Sequence, residues 1–573
     1  MIRSLIEKAL VEELKQLGVR GPKVLLEHPS DSGLGDYATN VAMMYAKKRG
    51  EDPIELAGKL VQQLKNHNFE GVEKITVAGF GFINFYLKPD FFASEIKKIL
   101  DEPNFGRNNR LRRQKTMVEY TDPNPFKVFH IGHLMSNTVG ESISRLIEWS
   151  GADVKRASYQ GDVGLHVAKA IYGIREQSWL FWKEKMLGSV TSRVNFLGAA
   201  YAAGAKAYED NSTAKEEIIR LNTLIYSRTD AGVNRYYDAG RAWSLSYFET
   251  IYRRLGTKFD FYFFESEMAE TGKAIVNDFL KKQVFVESDG AIVFKGEAHG
   301  LHTRVFVNSQ GLPTYEAKDL GLAKAKYDKY PYEKSIVITA NEQSDYFKVV
   351  LKAMEAVFPE LAPKIKHISH GLLMLPSGKM SSRTGDVVAA EGLMADIEGK
   401  VFERLADRTL SRNSKKEIAG QVAVAAIKFS ILKQAPGRDV IFDIEKSVSF
   451  EGDSGPYLQY TAVRAASVLA KAKKDGLTPS ATRPEDIEVL PLEKFLYQFP
   501  EVVERAGTEY APQSIVTYLL EVASAFNSFY GAHQIIDEAR PELSAYRLAL
   551  AEATRQVLAG GLEILGIAVP SEM

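Results

Sequence analysis

Apolar residues recur along the chain with different periods, and the changes of period divide it into regions. The first apolar positions have the spacing of an amphipathic helix: Ile2, Leu5, Ile6 and Leu10. Further on, "FGFINFYL" (residues 80–87) is a short, aromatic-rich run that is typical of a strand. We therefore predict a small α+β domain over residues 1–105.

Residues 112–395 alternate between two kinds of pattern. β-rich runs such as "TMVEY", "RVFV" and "SIVIT" are separated by helical patterns such as "YFKVVLKAMEAVF". This alternation predicts βαβ units around a parallel sheet of the Rossmann type. A long polar, helix-forming segment over about 178–254 interrupts the pattern, and we expect it to be a helical insertion.

Strand-like runs stop near Leu405, and helical spacing takes over. The clearest example keeps its apolar residues on one helix face: Ile515, Tyr518, Leu519, Val522 and Phe526. Residues 405–573 are therefore predicted to form an all-α C-terminal bundle. The predicted fold class is α/β, with a Rossmann-type parallel-sheet domain, a helical insertion, a small N-terminal α+β domain and this bundle.

Composition narrows the class of protein. With 573 residues the chain is too long for one core, and 45% apolar with 25% charged residues indicates an ordinary globular protein. Lysine plus arginine equals aspartate plus glutamate at 73 each, so net charge does not indicate a nucleic-acid partner. Cysteine is absent, which excludes disulfides and cysteine-ligated zinc. We expect a cytoplasmic protein with no signal peptide and no membrane span.

A strand, a proline-containing loop and a helix start follow one another in "VEYTDPNPFKVFHIGHLMSN" (118–137). Free amides and the helix dipole favour an anion at such a place, and Gly132 would let a flat ligand approach the backbone. His130 and His133 are three residues apart, so both can direct donors at an α-phosphate under attack. The alternative is that both histidines are incidental polar residues near a helix start.

A second candidate lies in "HGLLMLPSGKMSSRTGD" (370–386), where an apolar run ends and a basic, hydroxyl-rich loop follows. Its polar residues could close over a triphosphate: Lys379, Ser381, Ser382 and Arg383. Taken alone, the segment also fits a solvated basic turn.

Together, HIGH in the first half of the sheet and KMSSR after its last strand resemble the class I aminoacyl-tRNA synthetases. "VEYTDPNPFKVFHIGHL" is similar to the signature of the arginyl-tRNA synthetase family. Further matches follow in order: "GLGDYATNVAMMYAKK", "GFGFINFYL", "YQGDVGLHVA", "LPTYEAKDLGLAKAK", "ANEQSDYFK", "GPYLQYTAVRAASVL", "FNSFY" and "GLEILGIAVPSEM". The resemblance implies ATP-dependent ligation of L-arginine to its tRNA through an arginyl-adenylate.

The resemblance also implies roles for individual residues. Glu119 and Asp319 would hold the substrate guanidinium, with Tyr315 beside it. The α-amino and carboxylate groups would meet Asn124, His130 and Gln343. The ATP-binding residues would be Lys127, His130, Gly132, His133, Lys379, Ser381, Ser382 and Arg383, with His130, His133 and Lys379 catalytic. The tRNA-binding residues would be Asn84, Phe85, Tyr457, Gln459, Tyr460 and Arg464.

Further expectations follow from the family. ATP is a substrate and brings Mg²⁺, no zinc is bound, and the chain acts as a monomer without a membrane. Activation of arginine is expected to need bound tRNA. Three residues depart from the family pattern. Ser382 stands where the family has a second lysine, which puts weight on Arg383 or Lys127 instead. No role is assigned to the other two, His166 and Tyr346.

Three other interpretations stay open at this point. A glutaminyl- or glutamyl-type synthetase would lack the paired Glu119 and Asp319. A small nucleotidylyltransferase would use an HxGH loop but need neither terminal domain. A non-catalytic tRNA-binding paralogue would not need an intact HIGH and KMSSR.

Overall fold

A computed structural model describes residues 2–376 and 389–573 of the chain. By its internal contacts the chain divides into two compact units. One unit consists of Met1–Phe105, Arg464–Phe499 and Glu521–Val557, and the other of Gly106–Val463, Pro500–Leu520 and Leu558–Met573. The C-terminal helices are thus shared between the two units, a division that the three successive regions of the sequence do not suggest.

The N-terminal segment forms a small α+β structure, as predicted. Its elements are α1 (Ile2–Gln16), β1 (Tyr37–Thr39), α2 (Val41–Arg49), α3 (Pro53–Leu64), β2 (Val72–Ala78), β3 (Phe82–Leu87) and α4 (Pro89–Asp101). The strands pair antiparallel in the order β1-β3-β2. The start of α3 follows from local chemistry, since Pro53 opens the helix and the Asp52 carboxylate accepts the Ile54 amide at 2.8 Å.

The second unit begins with β4 (Lys115–Glu119), α5 (Ile131–Trp149), β5 (Asp153–Gln160) and α6 (Leu165–Glu176). The predicted insertion follows as four helices: α7 (Ser178–Leu187), α8 (Val190–Asp210), α9 (Ser212–Ser227) and α10 (Ala231–Leu255). Their apolar faces meet α6 in a shared core that contains Ile171, Phe181, Leu197, Ile218 and Leu221. The helical insertion is therefore confirmed.

The sheet is completed further along the chain. The next elements are β6 (Phe261–Phe264), α11 (Glu265–Leu280), β7 (Val286–Ser288), β8 (Ala291–Phe294), β9 (Arg304–Val307), α12 (Tyr315–Lys329), β10 (Lys334–Ala340), α13 (Ser344–Val357) and β11 (Ile365–His370). Five strands pair in the order β11-β10-β4-β5-β6, all parallel, and β7, β8 and β9 form a separate antiparallel sheet. This confirms the Rossmann-type sheet, with β4 at its centre. The run "RVFV" (β9) was expected in that sheet and belongs instead to the antiparallel one.

The remaining elements are mostly helices. They are β12 (Leu373–Met374), α14 (Ala390–Arg404), α15 (Arg412–Leu432), β13 (Val440–Ile441), α16 (Ile444–Ser447), α17 (Gly455–Lys474), α18 (Pro491–Leu496), α19 (Phe499–Glu509), α20 (Pro512–Ala532) and α21 (Pro541–Ile564). The apolar positions predicted for α20 are all buried. The helical C-terminal region is confirmed, with one difference: the short β13 pairs with β12. None of the described helices has the length and apolar character needed to cross a membrane.

Candidate active site

The chain leaves the C-terminal end of β4 through a strained turn. Thr121 and Asp122 have left-handed backbones, with φ of 80° and 45°, which residues other than glycine rarely adopt. The Thr121 amide donates to the Ser136 hydroxyl at 2.9 Å, and the Tyr159 amide donates to the Asp122 carboxylate at 2.7 Å. Strain of this kind persists only where its surroundings hold it, and it is typical of functional sites.

His130 and His133 lie together at the start of α5. His130 is the N-cap, and its Nδ1 accepts the Gly132 amide at 3.1 Å. The His130 amide donates to His133 Nδ1 at 3.2 Å, and the two rings stack with centroids 3.7 Å apart. Because both Nδ1 atoms accept, each neutral ring carries its proton on Nε2. The pair therefore offers two N–H donors to a ligand.

Neither imidazole carries a charge near neutral pH. Burial, followed by the charge of Lys127, lowers the pKa of His130 to about 4. Burial and the neighbouring His130 lower the pKa of His133 well below its usual range. A Cβ on Gly132 would lie 2.9 Å from the His130 ring. Glycine at position 132 thus leaves room for the His130 ring. From the sequence we had expected it to leave room for a ligand.

The nearest lysine to this pair in sequence is Lys127. Burial lowers its pKa, and the charge of Glu265 opposes that shift. Its Nζ lies 5.4 Å from the centre of the Tyr201 ring. Since Tyr201 belongs to α8, the helical insertion helps to hold this cation at the start of α5.

Glu119 and Asp319 lie on one small cavity, although 200 residues separate them in the chain. The cavity measures about 30 Å³, and Lys326 lines it as well. Its other walls are apolar: Leu322, Ala323, Val337, Phe347, Leu351, Met354 and Ile365. The end of β4 and the first half of α12 thus bring two carboxylates to one place.

Each of these carboxylates already has a donor from the protein. Lys326 Nζ donates to Glu119 Oε2 at 2.6 Å, and both side chains are buried. The Tyr346 hydroxyl donates to Asp319 Oδ2 at 2.6 Å. Burial raises the pKa of Asp319 to about 8 despite this hydrogen bond, and the charge of Glu119 adds to the rise. Burial therefore favours the protonated form of Asp319 at neutral pH.

The other predicted substrate contacts are arranged around the turn and the start of α12. Asn124 Oδ1 accepts the Gly161 amide at 3.1 Å, and a Cβ on Gly161 would lie 2.5 Å from the same atom. Tyr315, the first residue of α12, is 59% exposed, with Lys318 Nζ 5.0 Å from its ring centre. Gln343 is exposed in a short 3-10 helix before α13.

Three family models match successive parts of the chain. The model described as tRNA synthetases class I (R), catalytic domain, matches residues 95–444, more than half of the sequence. An arginyl tRNA synthetase N terminal domain model matches residues 2–87, and a DALR anticodon binding domain model matches residues 458–573. The chain belongs to the arginyl-tRNA synthetase family.

Individual relatives are similar to this arginyl-tRNA synthetase family member over nearly all of its sequence. The arginine–tRNA ligase of Clostridium acetobutylicum is 29% identical and covers 98% of both chains, and that of Treponema denticola is 30% identical over 95% of this chain and 94% of its own. The solved Thermus thermophilus arginyl-tRNA synthetase is 25% identical, with a TM-score of 0.81 and full coverage of both chains. The Plasmodium falciparum arginyl-tRNA synthetase, at 19% identity, shares the fold with a TM-score of 0.79, covering 100% of this chain and 99% of its own.

Three of the residues predicted to bind tRNA are buried inside the protein. Asn84, Phe85 and Gln459 are 2%, 0% and 0% exposed. Phe85 packs in the N-terminal core, and Gln459 Nε2 donates to the Ala568 carbonyl at 2.6 Å. We therefore correct these three assignments to packing, because a buried side chain presents no surface to a partner.

The other three residues predicted to bind tRNA are half-buried in α17: Tyr457, Tyr460 and Arg464. The Tyr460 ring lies 6.2 Å from that of Phe450, between centroids. The Arg464 guanidinium donates to Asn527 Oδ1 and lies 5.2 Å from the Tyr530 ring centre. Some of their surface remains accessible, so their contact with tRNA stays a prediction.

The residues predicted on the KMSSR loop lie outside the described part of the chain: Lys379, Ser381, Ser382 and Arg383. Of the departures from the family pattern, His166 now has a structural explanation. Its Nε2 lies 2.9 Å from the Gly161 carbonyl, and burial lowers its pKa to about 3. The neutral ring donates to the loop after β5 and so supports the amide that meets Asn124.

Several charged or polar residues near the pocket escaped the sequence analysis. Lys318 and Glu265 form a buried pair at 2.7 Å, and the Tyr159 hydroxyl is buried without a hydrogen-bond partner in the described residues. Lys326 could have been found, because it follows Asp319 by seven residues and so shares its helix face. Within residues 2–376 and 389–573, no cluster of three or more histidine, aspartate or glutamate side chains could hold a metal ion.

Proposed function

We propose that this chain ligates L-arginine to arginine tRNA at the expense of ATP, by way of an arginyl-adenylate. The observation that carries the proposal is the convergence of Glu119 and Asp319 on one cavity. The neutral donors at the start of α5 add to it. Two carboxylates suit a planar guanidinium, which has five N–H donors in a fixed fork. A substrate side chain without a cation would add no positive charge to a cavity lined by Glu119 and Asp319.

The arginine-binding roles are assigned along the length of the substrate. Glu119 and Asp319 bind the guanidinium, and Tyr315 covers it from the start of α12. Asn124, His130 and Gln343 contact the α-amino and carboxylate groups. The Gly161 amide holds Asn124 from behind, so this amide side chain is oriented before the substrate arrives.

At the α5 end the proposed task is to stabilise charge on the α-phosphate. His130 and His133 supply N–H donors, Gly132 lies between them, and Lys127 supplies a cation. By family resemblance Lys379, Ser381, Ser382 and Arg383 contribute from the KMSSR loop. Activation of this kind depends on positioning and electrostatic stabilisation more than on proton transfer.

The partners follow from the reaction. ATP is a substrate and is expected to arrive with Mg²⁺, and the tRNA is expected to contact Tyr457, Tyr460 and Arg464. We further propose that the chain acts as a monomer in the cytoplasm, where translation uses the product. No bound zinc is invoked.

The alternatives are less well supported. A small nucleotidylyltransferase would not need segments that match N-terminal and anticodon-binding models of the arginyl-tRNA synthetases. A glutamyl- or glutaminyl-type enzyme binds an uncharged or acidic side chain, for which a pocket lined by Glu119 and Asp319 is unsuited.

The test is aminoacylation of total tRNA with each amino acid in turn. Arginine alone should be charged, and pyrophosphate exchange with arginine should rise when arginine tRNA is added. Charging of glutamate or glutamine, or no charging of any amino acid by a folded protein, would contradict the proposal.

A further inference from the structure

The two carboxylates of the pocket are engaged in the same asymmetric way. These hydrogen bonds use one oxygen of each carboxylate: Lys326 Nζ donates to Glu119 Oε2, and the Tyr346 hydroxyl donates to Asp319 Oδ2. Both donors come from the helices that flank the cavity, α12 and α13. Each carboxylate is thus held from behind, and its second oxygen is not used by either donor.

We propose that Lys326 and Tyr346 are positioning residues for arginine, each fixing one oxygen of a pocket carboxylate so that the other oxygen faces the guanidinium. This inference rests on the proposed function and names residues that the sequence left without a role. A guanidinium donates in fixed directions within one plane. Acceptors held in place lose less side-chain entropy on binding than acceptors that are free to rotate.

Lys326 also sets the charge of the pocket. With Glu119 paired to Lys326, an ionised Asp319 leaves one net negative charge for one substrate cation. Without Lys326, two buried carboxylates would share the cavity, and like charges at such a distance favour protonation of one of them. A protonated carboxyl would put a donor where the guanidinium needs an acceptor.

Several groups act on Asp319 from the surrounding elements. They are Glu119 of β4, Asp122 of the following turn, Tyr159 of β5, Glu265 of α11, Glu316 of α12 and Tyr346 of α13. Lys326 of α12 lines the same cavity. Tyr346 is the one whose hydrogen bond lowers the pKa of Asp319, whereas Glu119, Glu265 and Glu316 raise it. Loss of the Tyr346 hydroxyl should therefore raise this pKa further.

The first test is Tyr346→Phe in the full-length chain, which keeps the ring and removes the hydroxyl. We expect KM for arginine to rise roughly tenfold or more, with KM for ATP unchanged, because one hydrogen bond to a charged group is lost. The acidic limb of kcat/KM for arginine should also move to higher pH. Tyr346→His, which restores an N–H donor, should recover part of the loss.

The matched control is Tyr330→Phe. The Tyr330 hydroxyl also makes a hydrogen bond in the same core, but it donates to the Asp153 carbonyl at 2.9 Å and not to Asp319. Removing the Tyr330 hydroxyl should leave KM for arginine and the acidic limb of the kcat/KM pH profile unchanged. The two variants should have similar thermal stability. If Tyr346→Phe leaves KM for arginine and the limb unchanged, or changes them no more than Tyr330→Phe does, the positioning role of Tyr346 is wrong.

The second test is a double-mutant cycle on Lys326 and Glu119. Lys326→Met should raise KM for arginine roughly tenfold or more, and Lys326→Arg should recover part of it. If Lys326 acts through Glu119, Lys326→Met added to Glu119→Gln should cost little beyond Glu119→Gln alone. The neutral double variant also removes the unpaired buried charge, so it stays informative if Lys326→Met does not fold.

Additive losses in this cycle would overturn the role of Lys326. The proposed function is tested separately by the parent chain. A parent that charges no arginine contradicts the function. If the unsubstituted chain charges arginine and the variants have the same KM for arginine as their controls, only the positioning inference is contradicted.

Discussion

At the guanidinium end of the site, Glu119 and Asp319 are carboxylates set against a lysine and a tyrosine. At the α5 end, His130 and His133 are neutral rings that stack on each other at a helix start. In the proposed reaction, the first region binds a substrate group that carries its charge before, during and after the reaction. The second region is proposed to contact a phosphate whose charge changes as the reaction proceeds.

The difference in charge between the two ends indicates which kinetic constant each end should control. A fixed negative charge binds the guanidinium equally in the ground state and in the transition state, so it should govern KM and specificity. A neutral N–H donor gains most when negative charge develops next to it, so it should govern kcat. Variants at the two ends should therefore separate the two kinetic constants.

The largest effect is expected from His133→Ala. Loss of this donor should lower kcat for pyrophosphate exchange, measured with arginine tRNA present, by roughly 100-fold or more, while KM for arginine changes by less than about threefold. His367→Ala is the control, because burial also lowers the pKa of His367 to about 4 but this residue lies on β11. A rise in KM for arginine with an unaltered kcat would remove the contrast between the two ends.

Next in size is Asp319→Asn, which keeps the shape of the side chain and removes the charge. It should lower kcat/KM for arginine by roughly 30-fold or more, or about 2 kcal/mol, since a buried cation is left partly unpaired. Citrulline, the neutral isostere, should lose much less. Asp328→Asn is the control on the same helix, where Asp328 is exposed and pairs with Lys324 at 2.6 Å. A loss under about threefold would place Asp319 outside the pocket.

A pH dependence of intermediate size is expected at the guanidinium end. The raised pKa of Asp319, about 8, means that arginine must displace a proton when it binds below that pH. KM for arginine should rise as pH falls from about 8.5 to about 6.5, by up to about tenfold per unit. Asp319→Asn should remove this dependence, and a flat profile in the parent would show that Asp319 is already ionised.

The smallest effect is expected at the α5 end. Because the pKa of His130 is about 4, this histidine should stay neutral over the working range. At saturating arginine, kcat for exchange should vary by less than about twofold between pH 6 and 8 from histidine ionisation. An acidic limb near pH 6.5 that disappears in His130→Gln would reveal a charged imidazole and weaken the comparison.

Local features of the site could be predicted from the sequence. The strand, the proline-containing loop and the helix start around His130 follow from residues within one short stretch, and a spacing of three places His133 on the same turn. The period of the apolar residues likewise indicated the parallel sheet, the insertion and the C-terminal helices. Such patterns suffice because backbone geometry repeats over a few residues.

The motif resemblance named Glu119 and Asp319, which the structure brings to one cavity, and their binding of arginine stays a prediction. Other side chains lie where the resemblance did not lead us to expect them. Asn84 and Phe85 were expected on a tRNA-binding surface, yet both are buried. As neighbours on β3 they point to opposite faces of the sheet, and only tertiary packing decides that both faces are covered there.

The pairing of Glu119 with Lys326 was decided by tertiary structure alone, since these residues are 207 positions apart. The same holds for the bond from Tyr346 to Asp319, and for the raised pKa of Asp319 that follows from burial among other carboxylates. By itself the sequence determined the residue types and most of the helices and strands of this protein. The tertiary structure decided which charges meet and how far water is excluded from them, because both depend on distances between segments that are remote in the chain.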